Sequence, residues 1–229
     1  MKQEGSLART HRGEPGLPRG RARLPAADVS AAQRERIIRA IVAAVAENGY
    51  AGATIADVVR HAKVSRAAFY AHFSDKEDCF LAASHEGGRL MIGHIVAATK
   101  ALPAEVSPEA AMRVACRALL EFLVAEPAFA RVFYVEMPGA GRRARDRIDA
   151  SRHRFAQLNR AWHVRARTLD PSCPEVPEEA YLAAVGATTE LVRAVVHSGR
   201  MRDLAGLEDA LVALHLALLA GKPWSVATS

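Results

Sequence analysis

Between Thr54 and Lys76 the chain reads TIADVVRHAKVSRAAFYAHFSDK, and its aromatic, basic and hydrogen-bonding residues recur at helical spacing. Arg66 and Tyr70 are four residues apart, as are Ala67 and Ala71, so each pair shares a helix face. Phe69 and Phe73 form another such pair on the opposite side and are expected to be buried with Ile55, Val58 and Val64. The outer face is then flat and small, edged by an arginine and a tyrosine. That combination suits DNA: the major groove admits an α-helix, arginine grips guanine edges, and alanine can touch a thymine methyl. Tyr70, His72 and Lys76 are placed to reach phosphates, which position a protein without reading sequence. The plainer alternative is a helical hairpin inside an ordinary bundle.

Other chemistry is weakly supported. GAGRRARDR, from Gly139, has closely spaced glycines, but no strand precedes it and no Walker spacing follows, so it reads as an exposed basic loop. His94, His153, His163, His197 and His215 lack metal-ligand spacing, and neither a metal nor a cofactor is expected. No paired acid and base or Ser/His/Asp arrangement stands out, so the chain does not read as an enzyme. Cys79, Cys116 and Cys173 form no even set and read as reduced thiols. The chain of 229 residues is half apolar and carries a net charge of +6, which suggests a polyanionic partner. With no signal-like or membrane-spanning apolar run, a cytoplasmic location is expected.

The elements that must hold the outer face are helical throughout. Ile37, Ile41, Ala44 and Val45 define one helix, stopped near Gly49. Thr54 caps a second, with Asp57 completing a box, and its amino end offers N–H groups to a phosphate. Ser65 caps a short third helix, and Ser74 with Glu77 is expected to box the fourth. Further helices are predicted from Ser107 towards Glu126, over PAFARVFY, from about Arg145 to Leu169, from Pro177 to about Ser198, and over 207–220. The expected fold is all-α. It comprises a flexible basic arm (1–29), a helix-turn-helix domain (30–78), and a larger effector-binding and dimerisation domain (79–229). Arg19, Arg21 and Arg23 give the arm a charge suited to a DNA groove.

TIADVVRHAKVSRAAFYAHFSDKEDCF resembles the DNA-binding signature of TetR/AcrR-type transcriptional regulators, through Thr54, Ile55, Ala62, Val64, Ser65, Phe69, Tyr70, His72, Phe73 and Lys76. The preceding GYAGAT fits as well, and the resemblance covers about residues 33–80. It implies a homodimeric helical repressor or activator, with DNA contacts at Ser65, Arg66, Tyr70, His72 and Lys76 and a C-terminal domain that binds a small effector. The turn glycine common in the family is Lys63 here, so a differently shaped turn is expected.

By analogy Met91, Ile95, Phe122, Phe133, Met137, Phe155 and Trp162 lie on helices that would line an effector pocket, although each is singly a plausible core residue. LEDALVALHLALLAG is apolar nearly all round, and Leu211, Leu214 and Leu218, with Tyr181 and Val185 on the preceding helix, are expected at a dimer interface. The reading is a repressor released from a palindromic operator by a small hydrophobic effector, the fourth helix tilting the reading heads. The rivals are a thiol-responsive regulator using Cys116 or Cys173, a helical lipid-handling enzyme, and a structural adaptor.

Overall fold

The computed structural model describes residues 5–8 and 26–224, and among them there is no strand. Among the described residues, nine α-helices carry the architecture: α1 Ala26–Gly52, α2 Ile55–Ala62, α3 Arg66–Tyr70, α4 Lys76–Lys100, α5 Pro108–Ala125, α6 Pro127–Arg131, α7 Arg142–Leu169, α8 Glu178–His197 and α9 Glu208–Ala220. Short 3-10 turns occur at Ser6–Ala8, Met137–Gly139 and Met201–Leu207, and a π turn follows α6 at Val132–Glu136. Arg19, Arg21 and Arg23 lie outside the described residues. No described helix is long and apolar enough to cross a membrane.

The chain divides into two compact units, with boundaries inside α4, after Gly87, and inside α7, after Arg145. The first comprises the described residues to Gly87 together with Glu126–Arg145. Its core is built from Ile37, Ile41 and Val45 of α1, Val58 and Ala62 of α2, Phe69 of α3, and Cys79 and Phe80 of α4, all buried. The return of α6 has a clear packing reason. Gly87 lies under Phe129, so close that a Cβ on Gly87 would stand 2.1 Å from the ring. Glu126 is buried and its carboxylate accepts from the Ser6 amide at 2.9 Å, the Ser6 hydroxyl at 2.6 Å and the Leu7 amide at 2.9 Å. Three donors offset the cost of burying that charge. Ser6–Ala8, within the stretch read from sequence as an arm, is thereby fixed to position 126.

In the second unit, Ala156, Tyr181, Ala184, Val185, Leu214 and Leu219 form a core, with Phe155 and Trp162 packed against it. His163 is buried there, its Nε2 donating to the Pro174 carbonyl at 3.0 Å and its Nδ1 accepting from the Tyr181 hydroxyl at 2.8 Å. Both ring nitrogens are thus used, which is the state of a structural histidine. Across α5 and α9, Glu208 accepts from Arg113 at 3.2 Å and from Arg117 at 2.8 Å.

Four of the five residues expected at a dimer interface belong to this protomer's own interior: Tyr181, Val185, Leu211 and Leu214 are buried in the single chain. A helix apolar on every side has more faces than one partner can cover, and α8 and its neighbours take most of them. Leu218 alone of the five is outward, 39% exposed.

Candidate nucleic-acid interface

The helix that carries the Arg66–Tyr70 face is built from its ends inward. Thr54 caps α2 with a full box: its hydroxyl oxygen accepts from the Asp57 amide at 3.2 Å, and the Asp57 carboxylate takes the Thr54 amide at 3.1 Å. Asp57 also takes the Thr54 hydroxyl at 2.6 Å and the Arg60 guanidinium at 2.6 Å, which together hold its carboxyl down at about 2. α2 ends on Lys63 in the left-handed conformation, φ 52°. The lysine therefore adopts the backbone conformation that suits glycine, at a cost of about 1 kcal/mol or more, and the turn is not reshaped. Ser65 then caps α3, its hydroxyl accepting from the Ala68 amide at 3.0 Å.

Phe69 and Phe73 anchor α3 from below, both buried, with ring centres 5.9 Å apart. Arg66, Ala67 and Ala71 are exposed, and Tyr70 is 55% exposed with its ring edge-on to Phe69 at 5.4 Å. His72 is half-buried, tilted against Phe73. The residues expected to face a groove, Arg66, Ala67, Tyr70 and Ala71, thus share one solvent-facing surface, with Thr54 and Ser65 exposed at the amino ends of α2 and α3.

Lys76 is placed differently. Its Nζ donates to the Tyr50 carbonyl at 2.7 Å and the Ala53 carbonyl at 2.9 Å, and stands 4.4 Å from the centre of the Tyr50 ring. The Tyr50 amide is held from the other side by Glu136, at 2.9 Å. Lys76 therefore braces the bend at Gly49, φ 71°, where α1 breaks before its last turn. No local pattern points to this bond, because it spans 26 residues.

The cap of α4 is one residue later than expected. Asp75 Oδ1 accepts the Asp78 amide at 2.7 Å and Asp78 Oδ2 accepts the Ser74 amide at 3.1 Å, so Asp75 and Asp78, not Ser74 and Glu77, close the helix start. Aspartate caps as well as serine does. Glu77 is then available to Arg143, which it meets at 3.1 Å.

The seven residues expected around an effector pocket fall into two groups. Phe133 and Met137 belong to the first unit, where Phe133 packs on Phe129 at 5.4 Å and Met137 is fully buried. Met91, Ile95, Phe122, Phe155 and Trp162 belong to the second. There Trp162 donates to the Pro108 carbonyl at 2.9 Å, and Phe122 faces His94 with ring centres 6.0 Å apart. The three thiols are buried, and burial raises each above its ordinary pKa, Cys116 to about 12. Protonated thiols are poor nucleophiles and poor redox sensors. No group of metal-holding side chains occurs among the described residues.

Residues 37–83 match the family model of the bacterial regulatory proteins, tetR family. No curated protein matches the sequence. Among solved structures, the fatty acid degradation regulator FadR from Bacillus halodurans superposes with a TM-score of 0.72 at 20% identity, over 80% of this chain and 94% of that one. FadR from Bacillus subtilis, in complex with stearoyl-CoA, gives 0.70 at 20% identity, over 82% and 98%. SmeT, the repressor of the Stenotrophomonas maltophilia multidrug efflux pump SmeDEF, gives 0.66 at 17%, over 86% and 94%. These likenesses are of fold, and both the family and these structural relatives are regulators, not enzymes. The domain that presents α3, residues 37–83, is thus a domain of the bacterial regulatory proteins, tetR family.

Proposed function

We propose that the protein is a homodimeric repressor that binds a palindromic operator through α3 and is released by a small hydrophobic or amphipathic effector. The observation that carries this reading is the outer face of α3, where Arg66, Ala67, Tyr70 and Ala71 stand clear of solvent-excluding neighbours while Phe69 and Phe73 fix the helix from below. Arg66 is the base reader, bidentate to guanine; Ala67 and Ala71 permit close approach; Thr54, Ser65, Tyr70 and His72 hold phosphates. Lys76 acts mainly by bracing Tyr50. In this reading a charged arm at 19–23 adds groove contacts.

A second copy would cover the outward side of α8 and α9, where Leu182, Ala183, Gly186 and Leu218 are exposed. The effector class draws on the relative from Bacillus subtilis, whose bound stearoyl-CoA is an amphipathic acyl chain. The cytoplasm is where such a regulator works.

The test is binding of the purified protein to a duplex selected from a random-sequence pool, with and without stearoyl-CoA. A palindromic selected site, bound by a dimer and released by the acyl thioester, is the expected result. Selection of no site would end the reading. Binding that ignores acyl thioesters would leave the DNA function standing and remove this effector class.

A further inference from the structure

We propose that Arg142 and Arg145, at the start of α7, form a second DNA-contacting surface that grips phosphates outside the base pairs read by α3. The proposal rests on the DNA-binding reading above. It starts from GAGRRARDR, the basic stretch that the helix-turn-helix does not use. Gly141, at φ 102°, turns the chain so that α7 starts beside the start of α4: a Cβ on Gly141 would lie 3.9 Å from Glu77 Oε1. Arg143 completes the junction through its ion pair with Glu77 at 3.1 Å. Glu77 follows directly after Lys76, which is tied to the bend at Tyr50 and to the carbonyl of Ala53, the residue before the cap of α2. The basic stretch is therefore continuous with the amino ends of α2 and α4, and lies in the same compact unit as α3.

Charge decides what this surface takes. Most carboxylates nearby are engaged: Asp75 on the Asp78 amide, Asp78 on the Ser74 amide, Glu77 on Arg143, and Glu136 on Arg131 and the Tyr50 amide. Asp146, one turn after Arg142 on α7, is exposed and is the one acidic charge beside the arginines that none of these contacts uses. Arg142 and Arg145 are exposed, and no carboxylate pairs with either among the described residues. Two free guanidiniums beside an anchored third match a row of phosphates, which arginine holds by paired N–H donors. An acidic protein would be met by the same charges, but continuity with the reading face favours the duplex that α3 already holds.

The experiment uses the full chain, the selected site centred in a 50-base-pair duplex, and the same site with its flanks trimmed away. Affinity is measured across salt concentrations for the wild type, for R142A/R145A, and for R160A/R167A, which removes the same charge elsewhere on α7. With two arginines in each of two protomers, R142A/R145A should flatten the logarithmic salt slope by about 3 to 4. It should do so on the long duplex only, with the preferred site unchanged. R160A/R167A should keep the wild-type slope. Equal slopes for the wild type and R142A/R145A would overturn this surface while leaving α3 as the reader. An equal loss in both double variants would also overturn it, as a general charge effect. A wild type that selects no site removes both this inference and the function it rests on.

Discussion

The ammonium of Lys76 lies 2.7 Å from the carbonyl oxygen of Tyr50 and 4.4 Å from the centre of the same residue's ring. One side chain thus serves two carbonyls and an aromatic face at the point where α1 bends and α2 is about to begin. Lys76→Met keeps the apolar stem and removes the charge. It is expected to lower stability by about 1–3 kcal/mol, because two carbonyls lose a charged donor. If Lys76 were only a phosphate contact, its loss would instead weaken DNA binding with no change in the urea midpoint. Denaturation and DNA titration on the same variant decide between the two.

Lys63 adopts a left-handed backbone at φ 52°. Lys63→Gly should therefore raise stability by a few tenths to about 1 kcal/mol, the relief of strain exceeding the added freedom of the unfolded chain. A shift of the thermal midpoint upward, with operator affinity held, is the expected result. A downward shift would mean that the lysine side chain contributes more than its backbone costs.

Gly87→Ala should be among the most damaging single substitutions in the first unit. Its Cβ would enter the ring of Phe129, which is itself fully buried and has little room to retreat. Overpacking of this kind costs about 1–3 kcal/mol or more. Phe129→Leu in the same background should restore part of the loss, and thermal denaturation of the pair checks it.

Asp57 supplies a pH dependence of known sign. Its carboxyl is held at about 2, first by the Thr54 hydroxyl and then by Arg60, below its ordinary 3.8. A depressed folded-state value means that the contribution is present above pH 4 and is lost as pH falls from about 4 to 2. Asp57→Asn should therefore destabilise the protein most at pH 6 and less at pH 2.5, where the carboxylate's contribution is partly lost. Amide exchange in α2 at both pH values reads this directly.

Gly186 tests the dimer face. A Cβ there meets nothing within 4 Å in the protomer, so Gly186→Leu has room to fold. A partner helix approaching that spot would be pushed away. Sedimentation should show a folded monomer with weakened DNA binding; a tight dimer would locate the interface elsewhere.

The elements that were legible in the sequence are those set by neighbours. Thr54 with Asp57 and Ser65 with Ala68 are caps made within three residues, and the division of α3 into a phenylalanine side and an Arg-Ala-Tyr side follows from helical period alone. What escaped depends on distance along the chain or on competition. Glu126 reaches Ser6 across 120 residues, and nothing around either residue signals the other. The cap of α4 had two chemically adequate solutions one residue apart, and the demand of Arg143 on Glu77 goes with the later one. In α9, periodicity marked the residues as buried but could not say against what; the protomer's own core takes Leu211 and Leu214 before any partner does.

The grip of Glu126 on Ser6 and Leu7, and of Phe129 over Gly87, has a consequence for how the molecule is made. The DNA-reading unit is discontinuous: its last pieces, 126–145, are translated well after its reading helix has left the ribosome. At about 5–20 residues per second, the nascent chain waits several seconds with the Gly87 side of α4 uncovered. During that interval the reading helix exists without its finished scaffold. A ribosome stalled close to residue 125 would thus hold a chain with α3 already emerging and the clasp that steadies it not yet synthesised.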